Sequence, residues 1–170
     1  MTISYSEKIS NLPVRISHGI ATIECYNLDM TRINIVPVTE LMDQHLIAEY
    51  REITMVPASL KRTLLSKTGL DLRKIPNSYT LNKGHVYFFY NKGKYLANRY
   101  QLLVDEMKER GFNPDRNRKF PTDIFKDNEL FNNWTPSQHE YDIIRKRIEQ
   151  KIHQNAGWYR KTEKQKKISI

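Results

Sequence analysis

From residue 31 onward, apolar residues recur at helical spacing, with no alternating run after Val36. Pro37-Val38-Thr39-Glu40 is a helix-start signal with Thr39 as N-cap, and the helix it opens is expected to run to about Ile53, with Leu41, Ile47, Ala48 and Tyr50 among its packing positions. Thr54 to Pro57 interrupts that pattern, and Pro57 suits the first turn of a second, shorter helix through Ala58 to Leu65. Gly69, Pro76, Asn77 and Ser78 mark residues 66–83 as a long loop exposing Lys67, Arg73 and Lys74. A long helix is predicted over about His85 to Arg110, with Val86, Phe89, Leu96, Leu102, Leu103 and Met107 apolar, Gly111 as its stop and Gly93 as a weak point in its middle. Asn113 to Trp134 is rich in Pro, Asn and Asp and is expected to be irregular, with one helical turn. Thr135-Pro136 then caps a last helix that Gly157 ends. On it, Ile144, Ile148 and Ile152 form an apolar stripe beside a cationic one made by Arg147 and Lys151. The expectation is an all-α fold, a compact single domain of three to four helices with long irregular connections. Phe88, Phe89 and Tyr90 are read as core.

Charge divides the chain unevenly. Lys plus Arg is 28 against 19 for Asp plus Glu, a net +9. Residues 1–29 hold Lys8 and Arg15 against Glu7, Glu24 and Asp29, a net −1, so the remaining 141 residues carry +10. Such a balance points to a polyanionic partner, of which nucleic acid is the commonest; a soluble basic surface is the bland alternative. No apolar run approaches the roughly 20 residues that would span a bilayer, so no membrane role is expected. Cys25 is the only cysteine, which excludes an internal disulfide and fits a reducing cytoplasm.

The five histidines lack zinc-ligand spacing, and neither a Gly-rich phosphate loop nor a Gly-x-Ser-x-Gly elbow is present. No metal and no cofactor is expected, and any catalysis falls to carboxylates, amines or imidazoles. Five ordered blocks narrow the field: Met30-Thr31-Arg32-Ile33-Asn34; Asp43-Gln44-His45-Leu46 with Ala48-Glu49-Tyr50-Arg51-Glu52; Gly84-His85-Val86 with Phe88-Phe89-Tyr90; Arg110-Gly111-Phe112-Asn113; and Trp158-Tyr159. Together, over Met30 to about Arg160, they resemble the phage pyrimidine-dimer DNA glycosylase and AP lyase (endonuclease V) family.

That resemblance implies a compact helical enzyme whose initiator methionine is removed to leave an N-terminal threonine, here Thr31. Its α-amine would attack the sugar C1′ of the 5′ pyrimidine in a cyclobutane dimer, form a Schiff base and cut the strand by β-elimination. An α-amine, with a reference pKa of about 7.7 to 8.0, has an appreciable neutral fraction near pH 7, whereas a lysine near 10.4 does not. An amide nitrogen is planar and inert, so the chemistry needs Thr31 at a free terminus. Glu52 would be the second catalytic group, stabilising the cationic sugar and moving protons; as a bare glutamate at a helix end it would read as solvated. Arg32 and Arg51 would hold phosphates beside the lesion, with ordinary surface charge as the alternative. His45, seven residues before Glu52 and so on the same side of the helix, could position Glu52 or a phosphate, or be a buried structural histidine. Gln44 would be a further DNA contact of the same block. Arg147 and Lys151 match basic positions on the family's last helix and would bind backbone phosphate. Trp158 and Tyr159 would pack on the catalytic helix or stack near the abasic site. The expected partner is double-stranded DNA containing pyrimidine dimers or abasic sites, bound by a monomer.

Two departures bear on specificity. Met55 stands where the family has an arginine three residues after the catalytic glutamate, and Arg160-Lys161-Thr162 replaces an aromatic tail. Residues 1–29 have no counterpart in the resemblance; they form an N-terminal extension, from a misassigned start or removed by processing, ahead of a glycosylase/lyase domain at 30–170. Two other readings stand beside this one: a non-catalytic DNA-binding protein if the extension is retained, and an AP lyase without dimer preference.

Overall fold

A computed structural model describes residues 33–81 and 84–163, and within them every regular element is helical, so the fold class is all-α. Four helices have ten residues or more: α1 (Asp43–Glu52), α2 (Met55–Leu64), α4 (Gly93–Glu109) and α6 (Gln138–Gln154). Two single turns, α3 (His85–Phe88) and α5 (Asp123–Lys126), punctuate the connections. Ahead of α1, residues 33–37 form an extended arm, followed by a 3-10 turn at Val38–Glu40. The arm belongs to the core: Ile33, Ile35 and Val36 are buried with Leu41, Leu46, Ile53, Leu60, Phe88, Phe89, Leu96, Leu103, Phe125 and Ile144. Thr31 and Arg32 lie outside the described residues. No helix of the described chain is long and apolar enough to cross a membrane.

The helix starts differ from expectation for reasons outside their local sequence. Thr39 is not the N-cap of α1. Its segment closes into the 3-10 turn through Glu40 N–H to Pro37 O at 2.9 Å, and α1 begins four residues later at Asp43. No side chain caps α1; the Asp43 N–H donates to the carbonyl of Arg160 at 2.8 Å, so the distal tail supplies one acceptor an isolated helix start would lack. Helix α2 runs from Met55 to Leu64, with Pro57 in its first turn as expected, where its missing N–H costs nothing. Helix α6 is opened by Ser137 and not by Thr135: the Ser137 hydroxyl accepts from Glu140 N–H while Glu140 accepts from Ser137 N–H, a reciprocal capping box.

The long helix expected over residues 85–110 is two helices. The chain breaks after α3 and restarts at Gly93, whose N–H donates to Leu130 O at 3.1 Å while Lys94 N–H donates to Asn132 O at 3.1 Å. A Cβ at Gly93 would lie 2.4 Å from the Phe125 ring, so glycine is needed where the α5 segment packs on the start of α4. Lys92 Nζ, over the Phe88 ring at 3.8 Å, donates to Phe88 O at 2.8 Å and closes the end of α3; burial pushes this ammonium down to about 8. At the other end, Gly111 adopts φ 81° and Phe112 N–H reaches Met107 O at 2.9 Å, which terminates α4 as expected. Leu102, expected to pack, is 53% exposed, and Ala48 is exposed as well.

Candidate active site

His45, Glu49 and Glu52 follow one another at spacings of four and three on α1, so they form a single stripe along that helix. Each part of the stripe meets a different neighbour. At its start, the His45 ring stacks on Tyr159, centroids 4.6 Å apart, and Tyr159 meets Trp158 edge-on at 4.9 Å. Gln44 holds this tail by its amide: Nε2 donates to Trp158 O at 2.5 Å and Oε1 accepts from Arg160 N–H at 3.1 Å. Asp43 accepts from the Thr162 N–H at 3.0 Å and the Thr162 hydroxyl at 2.7 Å. The sequence-predicted residues Gln44, His45, Trp158 and Tyr159 are thus brought together, with Gln44 acting on the tail backbone. Trp158 is 60% exposed and Tyr159 half-buried.

In the middle of the stripe, Glu49 is fully buried and receives the arm. Asn34 Nδ2 donates to Glu49 Oε2 at 3.1 Å. Arg99, on α4, donates to both Glu49 oxygens at 2.8 and 3.0 Å, and its other N–H groups take the carbonyls of Asn34 and Val36. Burial alone works against the Arg99 charge, but Glu49 outweighs it and holds the guanidinium above its ordinary value. Eleven residues on, about three turns along the same face, Arg110 at the C-terminal cap of α4 repeats the arrangement. It donates to Asp43 at 2.9 Å, to Glu106 at 2.9 Å and to the carbonyls of Leu41 and Val38 at 2.8 and 3.3 Å. Burial also works to raise the Asp43 carboxyl, yet the donors from Thr162 and Arg110 prevail and keep it below the usual carboxylate range.

One residue earlier the arm is pinned on both sides. The Ile33 N–H donates to His85 Nε2 at 2.9 Å, and the Ile33 carbonyl accepts from the Tyr79 hydroxyl at 2.9 Å. Because Nε2 is the acceptor, the buried imidazole is neutral with its proton on Nδ1, which faces Thr80 O at 2.5 Å. Tyr79 and Phe89 hold the ring edge-on, each with its centroid 5.4 Å away.

Glu52 ends the stripe and α1 and is half-buried. Its neighbour Arg51 has an exposed side chain, and the Arg51 carbonyl accepts from Arg118 Nη2 at 2.7 Å. Met55, 50% exposed, opens α2 immediately beyond. Arg147 and Lys151 are half-buried on the second half of α6, the helix whose end delivers Trp158 and Tyr159; α6 is tied to the 3-10 turn by Arg145 on Glu40 at 2.9 Å. Among the described residues, no three His, Cys, Asp or Glu side chains converge to hold a metal ion.

Asn34, Glu49, Tyr79, Arg99 and Arg118 were not singled out from the sequence as site residues. Asn34, Glu49 and His85 fall inside the ordered blocks, but nothing local tells a buried Glu49 from a solvated one. The Arg99 partnership joins residues 50 positions apart. Residues 30–120 match the family model described as pyrimidine dimer DNA glycosylase, a stretch that holds α1, the arm and α4 but ends before Arg147, Lys151, Trp158 and Tyr159.

Proposed function

The chain belongs to the pyrimidine dimer DNA glycosylase family, and on that premise we propose that it couples glycosidic cleavage at cyclobutane dimers to AP lyase strand scission, using the α-amine of Thr31 and the carboxylate of Glu52. The amine lone pair forms a bond to C1′ of the 5′ pyrimidine as the glycosidic bond breaks and the base leaves with its electron pair, taking up a proton. Opening of the sugar ring yields the imine, with Glu52 moving the proton that O4′ needs. Loss of a C2′ proton then expels the 3′ phosphate by β-elimination.

The observation that carries this reading is the fixation of Ile33 at both its N–H and its carbonyl. Thr31 is two residues upstream, within about 7 Å of chain. The arm crosses the stripe at Glu49, one helical turn before Glu52. A terminal amine needs such an anchor, because a freely moving terminus would lose the orientation that makes the attack effectively intramolecular. His45 with its Tyr159 partner, Arg51 and Arg32 would line the DNA around it, and Arg147 and Lys151 would hold backbone phosphate from α6. Residues 1–30 would have to be absent from the active species, since an intact Met30–Thr31 amide has no nucleophilic nitrogen.

Protein beginning at Thr31, incubated with dimer-containing or abasic duplex and borohydride, is expected to form a covalent protein–DNA adduct. Chain retaining residues 1–29 is expected to form none. Failure of the Thr31 protein to trap would overturn the proposal. A lyase without dimer preference is a second reading, favoured by the apolar, exposed Met55 just beyond the end of α1; trapping on abasic duplex with none on dimer-containing duplex would select it.

A further inference from the structure

We infer that Arg118 is a binding residue for a DNA backbone phosphate at the C-terminal end of α1, an inference that rests on the proposed function. The loop carrying it is fixed on two sides. Arg118 N–H donates to Asp115 O at 3.2 Å, Asn117 N–H to the Asp115 carboxylate at 2.9 Å, and the Tyr100 hydroxyl to Arg118 O at 2.8 Å. From this base the side chain reaches α1. Nη2 donates to Arg51 O at 2.7 Å and to the Thr54 hydroxyl at 2.8 Å, and Cζ lies 5.2 Å from the Tyr50 ring centroid.

Among the described residues, the other arginines with fixed guanidinium groups are held by carboxylates: Arg73 by Asp71, Arg99 by Glu49, Arg110 by Asp43 and Glu106, Arg145 by Glu40. Arg118 is also held in place, but by neutral acceptors only. A single nitrogen makes both of its bonds, so Nε and Nη1 keep their N–H groups without an acceptor among the described residues. A guanidinium stays charged at any accessible pH and offers a planar fork suited to phosphate.

Its position gives the charge a use. The last carbonyls of a helix carry partial negative charge, and Glu52 adds a carboxylate at the same end, so an approaching phosphate would be repelled there. Together with the exposed Arg51 side chain at the same end, Arg118, which covers the Arg51 carbonyl, tips the local sign to positive. Met55 contributes no charge at this corner. Capping of α1 alone would satisfy the observed bonds, and the two roles separate by salt dependence, because a structural cap releases no counterions from DNA.

The test uses the full chain and a short duplex carrying a tetrahydrofuran abasic analogue, which forms no imine, with affinity measured between about 50 and 200 mM salt. Arg118→Gln keeps a donor for Arg51 O and removes the charge. It is expected to weaken binding roughly fivefold at the low-salt end and to flatten the log–log salt slope by about 0.9. An unchanged slope overturns the inference, whatever happens to the melting temperature. If Arg118→Gln does not fold, Arg118→Lys carries the test: its ammonium cannot span both Arg51 O and a phosphate, so affinity falls severalfold with the slope kept, and parental affinity overturns the inference. Parent protein that binds duplex without salt dependence removes both this inference and the DNA reading. A steep parental slope left untouched by Arg118→Gln removes only this one.

Discussion

Arg99 on α4 and Arg110 at the C-terminal cap of that helix do the same job in different charge settings. Each donates to two carbonyls of the segment before α1 and to a carboxylate of α1 itself, so each staples the chain's entry to the helix it enters. Arg99 serves a single carboxylate, Glu49, and closes neutral. Arg110 serves two, Asp43 and Glu106, and its cluster keeps a net negative charge that the Thr162 donors relieve. The first clamp sits next to the pinned Ile33, the second next to the tail. The difference teaches that stability and arm placement can be divided between two similar side chains.

The comparison can be broken by removing either partner. Arg110→Leu leaves two buried carboxylates facing each other and is expected to cost about 5 kcal/mol in urea unfolding near neutral pH. Part of that cost should disappear at lower pH, as the carboxylates come to share a proton. Arg99→Leu strands one carboxylate that still has Asn34 as a donor, and about 3 kcal/mol is expected. In borohydride trapping by protein beginning at Thr31 the order should reverse, Arg99→Leu slowing the reaction more than Arg110→Leu at matched folded fraction. Equal trapping rates would show that the two clamps are interchangeable.

A smaller change sharpens the same point. His85→Ala removes the acceptor of the Ile33 N–H, for a stability loss of about 1 to 3 kcal/mol, and trapping should slow by about tenfold because the arm loses one of its two pins. Smallest is the acid response of Asp43. Its folded-state carboxyl lies below its unfolded value, so its contribution is present above that ordinary value and is lost as pH falls through the folded one. Asp43→Asn should therefore flatten the fall in stability below about pH 4, read from melting temperature against pH. An unchanged acid limb would mean that the Thr162 and Arg110 donors do not bind the charged form preferentially.

What could be read along the chain was whatever depends on nearest neighbours. The apolar stripe of α6, the stop at Gly111 and the buried trio Phe88, Phe89 and Tyr90 follow from spacing and from glycine's tolerance of positive φ. The all-α class follows from the missing alternation. What escaped depends on partners far along the chain. Thr39 has the right chemistry for an N-cap, but Arg160 O takes the first amide of α1. Gly93 looked like a flaw inside a long helix, whereas the Phe125 ring occupies the space a side chain would need at a helix start. For the site, the ordered blocks located α1 and its stripe. Glu49 and Arg99 are charged residues of the usual exposed kind until the fold buries them together.

The two bonds at Ile33 also set a count. Side chains hold this one residue as a neighbouring strand would, so the chain cannot slip along His85 and Tyr79 without losing both contacts. Each residue upstream adds about 3.3 to 3.6 Å of reach when extended. On the proposed chemistry, a protein starting at Arg32 would present its amine about one residue short, and one starting at Met30 about one residue long. On that chemistry the fold would measure where the active polypeptide begins, with Ile33 as the reference point and the third residue of the active chain as its reading.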